Sequence, residues 1–429
     1  MNITIIALGS RGDVQPHIAL GVGLRAAGHT VKVVTHELFA PLIRRLGLDF
    51  SPVQVDPRAI VEGETGQNWL RSGGNSLQFF QRFSRIAGPL IQQAMLDCWH
   101  ACQGTDAIII SPLAICVASS VAEKLAVPLW IGAGQPLTAT GAFAIPFFPD
   151  APHWLPIRQT YSRLTYTLSA RLFWRLLSTP INHARRAILN LPPLSINWLY
   201  ENLQQQRLPM LYYYSPSVLP QPPDWGKMYH VTGYWFLDGD ADWQPPAELL
   251  DFLAAGPPPV YVGFGSMNTR RAEVMTDMVL QALARTKQRG ILLTGWGGVS
   301  SADLPDEVFK IDFAPHDWLF PRMAAIVQHG GAGTMAASLR AGVPSVVVPF
   351  FGDQPFWGRR FYALGLTPRP ISQKRLTTER LANALHIATS DTALRERVTA
   401  FSTRIQSENG VERAVDILQR HLLKRSLSL

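Results

Sequence analysis

Cysteine, charge and long apolar runs are all scarce in this chain. Its 429 residues include three cysteines, which argues against a disulfide framework and for a reducing compartment. Charged residues are only 16%, and the net charge of +8 comes without a dense Lys/Arg run, so we expect no nucleic acid partner. No run of about 18 apolar residues and no signal-peptide pattern occur. We expect a cytoplasmic protein and leave open contact with the cytoplasmic face of an anionic membrane.

Two series of alternating strand and helix patterns predict two α/β domains. Near the start, Ile3–Leu8 reads as a strand, Gly9–Asp13 as a polar loop, His17–Ala27 as a helix and Thr30–Thr35 as a second strand. A similar rhythm begins again at Val260–Ser266. We therefore predict two Rossmann-like, doubly wound parallel sheets that face a central cleft.

The predicted boundaries follow shifts in composition. Residues 1–225 form the N-terminal domain, with an aromatic and basic helical insert around 141–191. Residues 226–409 form the C-terminal domain, and the helix in 410–429 packs back on the N-terminal domain. Within the insert, Ile157–Leu177 has helical spacing with interleaved arginines. Three interpretations of this helix stay open: an ordinary half-buried helix, a cover for a hydrophobic acceptor pocket, or a docking site for an anionic membrane.

The segment HGGAGT, His329–Thr334, stands between a buried strand pattern and a helix pattern. Free amide groups and the positive end of the helix dipole attract phosphate at such a junction. The next strand pattern, PSVVVPF, is followed by Asp353 and Gln354. Ligands of open α/β sheets bind at this edge, so the pair is a candidate grip for sugar hydroxyls. The alternative for Asp353 is to cap the following helix.

Asp13 is a candidate general base because a carboxylate at a sheet edge can take a proton from an attacking hydroxyl. The alternative is a carboxylate that caps the next helix. His17 is a rival base, which a carboxylate such as Asp106 could assist. A dinucleotide fingerprint is a further alternative, but the loop reads GSRG rather than GxGxxG.

Four segments carry a resemblance to a known family: GSRGDVQPHIALG, VYVGFGS, APHDWLFPRMAAIVQHGGAGT and GVPSVVVPFFGDQPFWGRR. With them the chain resembles the UDP-glycosyltransferases of the GT-B fold. It is most similar to sterol 3-beta-glucosyltransferases and bacterial antibiotic glycosyltransferases of the vancomycin type. The resemblance implies that the C-terminal half binds a nucleotide sugar and the N-terminal half a hydrophobic acceptor. It also implies an inverting, metal-independent transfer, with a UDP-sugar co-substrate and no other cofactor.

The resemblance also implies roles for single residues. Asp13, three residues before Pro16, takes the position of the base. Phe313 stands where many relatives stack Trp on uracil, which leaves uracil or thymine open. Trp296, beside a predicted turn, either packs in the core or stacks on the ligand. The full set of predicted donor-binding residues is Ser10, Ser266, Trp296, Phe313, His329, Gly330, Gly331, Gly333, Thr334, Asp353 and Gln354.

The expected reaction is transfer of a hexose, glucose from UDP-glucose, to the hydroxyl of a sterol or another polycyclic alcohol. One alternative keeps the fold and transfers a dTDP-deoxysugar such as rhamnose to a polyketide or lipid. The other is a non-catalytic protein that binds lipid or nucleotide on the same scaffold.

Overall fold

A computed structural model describes residues 1–54, 76–152, 154–204, 208–239, 243–264, 272–293 and 304–426. The chain divides into two compact units. Unit 1 comprises Met1–Tyr213, Gln221–Leu237 and Gly410–Leu429. Unit 2 comprises Tyr214–Pro220 and Asp238–Asn409. Each unit is built on one parallel sheet.

Seven strands form the sheet of unit 1, in the order β3-β2-β1-β4-β5-β6-β7. All neighbouring pairs are parallel. The strands are β1 (Asn2–Ile6), β2 (Thr30–Thr35), β3 (Asp49–Pro52), β4 (Ala107–Ile110), β5 (Leu129–Ala133), β6 (Met210–Tyr212) and β7 (Tyr229–Val231). The chain runs outward from β1 to β3 and then returns to β4 on the other side of β1. Such a reversal opens a crevice at the carboxyl ends of β1 and β4, where ligands of doubly wound sheets bind.

Helices cover this sheet. They are α1 (Arg11–Ala26), α2 (Ala40–Arg45), α3 (Ser76–Ala101), α4 (Ile115–Leu125), α5 (Arg158–Leu189) and α6 (Trp198–Gln204). Helix α1 begins earlier than predicted, because Arg11–Asp13 form its first turn rather than a loop. Asp13, the third residue of that turn, accepts a hydrogen bond from Ser10 N at 2.9 Å. This hydrogen bond to the residue before the helix stabilises the first turn of α1.

The helix that follows unit 2 in the chain, α14 (Gly410–Ser426), belongs to unit 1. It packs against α1. Ala414 and Leu418 of α14 share one buried cluster with Leu20 and Leu24 of α1. The core of unit 1 therefore contains side chains from both ends of the described chain.

Unit 2 has a five-stranded sheet in the order β10-β9-β8-β11-β12, again with parallel neighbours. The strands are β8 (Val260–Gly263), β9 (Gly290–Leu293), β10 (Val308–Ile311), β11 (Ala325–Gln328) and β12 (Ser345–Val347). The helices are α7 (Ala247–Ala254), α8 (Ala272–Thr286), α9 (His316–Leu319), α10 (Ala332–Arg340), α11 (Gln354–Ala363), α12 (Thr378–Ser390) and α13 (Thr392–Gln406). The order reverses between β8 and β11, so the second crevice lies at their carboxyl ends.

Both faces of the unit 2 sheet are buried. Val260 and Val262 of β8 pack with α8 and α12 on one side. Tyr261, between them, packs on the other side with Leu249 of α7 and Leu319 of α9. This alternation follows from the two-residue period of a strand. Among the described helices of both units, none is long and apolar enough to cross a membrane.

Candidate active site

The turn that follows β11 is held open by glycine. Gly330 has a φ of +92°, and a Cβ there would lie 2.8 Å from Cγ1 of Val347. Gly331 must stay small as well, since a Cβ there would lie 2.5 Å from Nε2 of His329. A Cβ on Gly333 would meet no heavy atom within 4 Å, so the backbone there borders open space. The turn thus brings backbone close to its neighbours on one side and exposes it on the other.

Helix α10 begins in this turn without a side-chain cap. Its first backbone bond runs from Met335 N to Gly331 O at 2.9 Å. The amides of Ala332, Gly333 and Thr334 precede that bond and have no partner inside the helix. They form an array of donors at the positive end of the helix dipole, the arrangement that holds phosphate groups elsewhere.

His329 lies three residues before the first of these amides and is half-buried. Burial lowers the pKa of its imidazole to about 4, so the ring is neutral at physiological pH. Nδ1 is buried and has no hydrogen-bond partner among the residues that the structure describes. A buried polar atom without a partner is costly, which favours a ligand that supplies one.

A buried polar network fixes the orientation of α10. Gln328, the last residue of β11, donates from Nε2 to Ser345 Oγ at 2.9 Å. Ser345 Oγ in turn donates to Ser338 Oγ of α10 at 2.8 Å. These bonds connect the helix to β11 and β12, so its amino end keeps its place beside the turn.

The predicted acid–amide pair lies next to this turn. Strands β11 and β12 are neighbours, and Gln354 O lies 3.2 Å from the position of a Cβ on Gly330. Asp353 precedes α11 without capping it, and its Oδ2 accepts a hydrogen bond from Trp357 Nε1 at 3.0 Å. Gln354 is buried, and its Oε1 accepts from the amides of Phe350 and Phe351 at 2.8 and 3.2 Å. The loop after β12 is therefore shaped by the pair itself.

The remaining predicted donor residues divide into three groups. Phe313 follows β10 at the same carboxyl edge and is 37% exposed, as a stacking platform requires. Ser266 and Trp296 lie outside the described residues. Ser10 is found in unit 1, where its Oγ donates to Asp13 Oδ2 at 3.0 Å.

The loop after β1 places Asp13 at the first crevice. Gly9 has a φ of +128°, and a Cβ there would lie 2.5 Å from Asp13 Oδ2. Oδ2 accepts hydrogen bonds from Ser10 N and Oγ, while Oδ1 has no hydrogen bond to a described residue. Burial raises the pKa of the Asp13 carboxyl, and the two bonds from Ser10 oppose the rise. The carboxylate can therefore cap α1 through one oxygen and accept a proton on the other.

His17 is placed differently. Its ring is fully buried, with Nδ1 2.7 Å from Asp13 O and edge contacts to Tyr213 and Trp235. Burial lowers the pKa of His17 to about 4. The suggested helper Asp106 is not near it, because Asp106 Oδ2 accepts from Asn2 N at 2.7 Å, at the amino ends of the strands. A supporting role for Asp106 is therefore wrong: a residue before β4 lies at the opposite edge from one after β1.

Two residues at this edge were not predicted. Ser111, directly after β4, accepts a hydrogen bond from Leu8 N at 2.9 Å and donates to Leu8 O at 3.0 Å. His36, directly after β2, accepts from Gly9 N through Nε2 at 3.3 Å. Each directly follows a parallel strand that neighbours β1, and this position in the sequence could have identified both residues as candidates. Together they hold the backbone that leads to Asp13.

No group of three or more His, Cys, Asp or Glu side chains is arranged to hold a metal within the described ranges. The two glycine-containing turns, one in each unit, are the candidate sites for chemistry.

Comparison with known proteins identifies family matches in both halves of the chain. Residues 3–143 match the glycosyltransferase family 28 N-terminal domain. Residues 278–417 match the C-terminal domain named erythromycin biosynthesis protein CIII-like. Among solved structures, the glycosyltransferase of kitacinnamycin has a TM-score of 0.71 at 19% identity, covering 98% of this chain and 99% of that one. The glycosyltransferase VinC, solved with dTDP, has a TM-score of 0.65 at 20% identity, covering 99% and 100%. The predicted GT-B fold is confirmed by these neighbours.

Closer relatives come from eukaryotes. A sterol 3-beta-glucosyltransferase of Arabidopsis thaliana is 37% identical over 433 residues, which are 98% of this chain and 68% of the relative. One of Cryptococcus neoformans is 37% identical over 447 residues, again across 98% of this chain. The chain spans only 27% of that fungal relative's length. The chain therefore belongs to the glycosyltransferase family that includes the sterol 3-beta-glucosyltransferases.

Proposed function

We propose that this protein transfers glucose from UDP-glucose to the hydroxyl of a sterol or a similar polycyclic alcohol, with inversion at the anomeric carbon and without a metal ion. The proposal depends above all on the uncapped start of α10. Three consecutive amides, at Ala332, Gly333 and Thr334, precede the first helical bond there. Donors fixed in this way match the oxygens of a diphosphate and need no rearrangement as charge grows on the leaving group.

His329 adds to this donor array. Because the ring is neutral, it carries one N–H that can donate to a phosphate oxygen and give Nδ1 a partner. The contribution is a hydrogen bond rather than a full positive charge. Stabilisation of the departing UDP then comes from amides, the helix dipole and His329, which together replace the divalent cation of metal-dependent transferases.

Phe313 would receive the nucleobase. It follows β10, which is three strands away from β11 in the sheet. At the usual spacing of parallel strands this is about 14 Å along the edge. An extended nucleoside diphosphate can bridge this separation, with its base on the exposed ring and its phosphates at α10.

Asp353 and Gln354 would orient the hexose. Their loop touches the glycine turn, so a sugar attached to the β-phosphate would meet it first. The bonds from Trp357 to Asp353, and from Gln354 to the loop backbone, hold both side chains in place. A pre-oriented carboxylate can align hydroxyls at a small entropic cost.

Asp13 would act as the base. It accepts the proton of the acceptor hydroxyl, and the oxygen attacks C1 from the face opposite UDP as the bond from C1 to the phosphate oxygen breaks. A partly buried carboxylate with a raised pKa is a stronger base than an exposed one. His17 fits this role less well, since its ring is enclosed by Tyr213 and Trp235.

The acceptor class is inferred from the relatives, whose names state that they glucosylate sterols. A product screen tests it: the purified protein is incubated with UDP-glucose or dTDP-sugars and with sterols, hopanoids, flavonoids or macrolides. We expect a sterol or hopanoid glucoside by mass spectrometry, a β-anomeric coupling by NMR, and an unchanged rate in EDTA.

Three results would contradict parts of this proposal. Transfer from dTDP-rhamnose alone would replace the donor, and an α-anomer would exclude inversion. Binding of UDP by calorimetry without transfer to any acceptor would favour a non-catalytic protein.

A further inference from the structure

Helix α5 carries apolar side chains on two opposite sides. One side is buried in unit 1, where Tyr166 and Trp174 are among the largest fully enclosed residues. The other side bears Leu164, Leu168 and Leu172, which are 50%, 56% and 55% exposed. Residues four apart lie above one another on a helix, so these leucines form one stripe. An ordinary half-buried helix has polar residues there.

The stripe continues beyond the helix at its amino end. Ile157, directly before α5, is 60% exposed, and Trp154 is 77% exposed. We call the set Trp154, Ile157, Leu164, Leu168 and Leu172 the leucine face. Large apolar side chains exposed as a group mark an interaction site in soluble proteins.

The charges around the leucine face have one sign. The segment 142–200 contains six arginines and a single acidic residue, Asp150, and α5 itself has no acidic residue. Arg158 and Arg175 are exposed and form no ion pair within the described residues. Arg171 lies over the ring of Tyr200, 5.3 Å from its centroid, a contact with no acidic group. A partner that covers this face must therefore accept both leucine side chains and uncompensated positive charge.

We propose that the leucine face docks on the surface of a bilayer that contains anionic phospholipid. A helix that lies in the interface places Trp and Leu among the acyl chains and Arg among the headgroups. Arginine also supplies attraction to lipid phosphates, and its long stem lets the charge stay at headgroup level. A second copy of this chain fits less well, because two such faces would bring the same positive charges together.

Vesicle flotation tests this proposal without any sugar donor, so its outcome is independent of the proposed transferase activity. The full chain is mixed with vesicles of phosphatidylcholine alone or with about 30% phosphatidylglycerol, an anionic headgroup fraction chosen to give a strong surface potential. We expect the protein to float with the anionic vesicles and to stay behind with the neutral ones. Added salt should weaken the binding, since charge attraction is screened.

Two variants separate the apolar and the charged parts. The double variant R158Q/R175Q should lower the partition coefficient by about 30-fold, or about fivefold for each arginine near the surface. The matched control R413Q/R420Q makes the same change of charge on α14 and should leave partitioning near the wild-type value. The triple variant L164Q/L168Q/L172Q should lower the partition coefficient by about 100-fold, because the wild-type leucines are half-exposed in water and become buried in lipid. All these side chains are exposed, so melting temperatures should stay close to wild type.

Several outcomes would overturn the proposal. Failure of the wild type to float on anionic vesicles is the first. Equal losses for R158Q/R175Q and R413Q/R420Q would mean that net charge, not this face, attracts the lipid. A wild-type dimer in sedimentation that the leucine variant dissociates, without flotation of either protein, would identify the face as an interface between copies.

Discussion

Replacing Asp13 by asparagine and by alanine separates the two roles of its carboxylate. Oδ2 accepts two hydrogen bonds from Ser10, at 2.9 and 3.0 Å, and stabilises the start of α1. An asparagine Oδ1 can accept the same two bonds, whereas alanine can accept neither. Asn and Ala both lack the basic oxygen that would take a proton from the acceptor. The pair of variants therefore changes capping and basicity independently.

The expected sizes differ accordingly. Asp13→Asn should lower the free energy of unfolding by less than about 1 kcal/mol, which is the contribution of one negative charge at a helix amino end. Asp13→Ala should cost about 1–2 kcal/mol, since the reach back to Ser10 is lost as well. Both should lower kcat by about 10²- to 10⁴-fold, the usual contribution of a general base. The assays are calorimetric melting, UDP titration and initial rates at saturating UDP-glucose.

The pH profile provides a further readout. Burial raises the pKa of Asp13, so its basic form is lost at a higher pH than for an exposed aspartate. The wild-type kcat should fall on the acid side, and the residual activity of Asp13→Asn should not follow that limb. Wild-type turnover in Asp13→Asn, with only Asp13→Ala impaired, would show that this residue is a cap and that the base lies elsewhere.

Three other changes test neighbouring parts of the structure. Gly330→Ala should weaken UDP binding and destabilise unit 2 by about 2–4 kcal/mol, because the residue has a positive φ and its new Cβ would press against Val347. A urea unfolding curve that matches the wild type would refute this. Phe313→Ala should lower the affinity for UDP by about 10-fold because the stacking contact is lost, whereas Phe313→Trp should keep or raise it, as measured by calorimetry. Equal affinities in all three proteins would show that the nucleobase does not bind at Phe313. The free energy of unfolding of unit 1 should fall by about 3 kcal/mol as the pH falls from 6.5 to 4. The reason is that His17 is protonated in the unfolded chain below its ordinary pKa, whereas burial holds its pKa at about 4 in the folded protein. A His17→Gln variant whose stability changes with pH as steeply as that of the wild type would contradict this.

Much of the fold and part of the site follow from the sequence alone. The HGGAGT turn and the pair Asp353 and Gln354 each follow a buried strand pattern, and parallel neighbours place such ends side by side. The register of β11 and β12 confirms this. The helix predicted within residues 410–429 is also present, as Gly410–Ser426. Strands β6 and β7 were missed because three-residue strands are too short for a period to be recognised.

Other features depended on contacts that no periodicity reveals. Asp13 was assigned to a loop, although Ser10-x-x-Asp13 is a pattern typical of a helix start. That Gln354 turns its carbonyl oxygen to the loop backbone cannot be read from a dipeptide. In α5 both sides are apolar, so the sequence could not tell which one faces the core, and burial of Trp174 decides it.

The order of synthesis on the ribosome is at odds with the order in which the two cores can close. Ala414 and Leu418 are needed to complete the core around α1, yet they are translated only after Asp238–Asn409. Domains generally fold as units once their residues are available. Unit 2 can therefore mature while α1 still lacks the side chains of α14, and a chain stopped near Asn409 would leave the buried face of α1 exposed to aggregation.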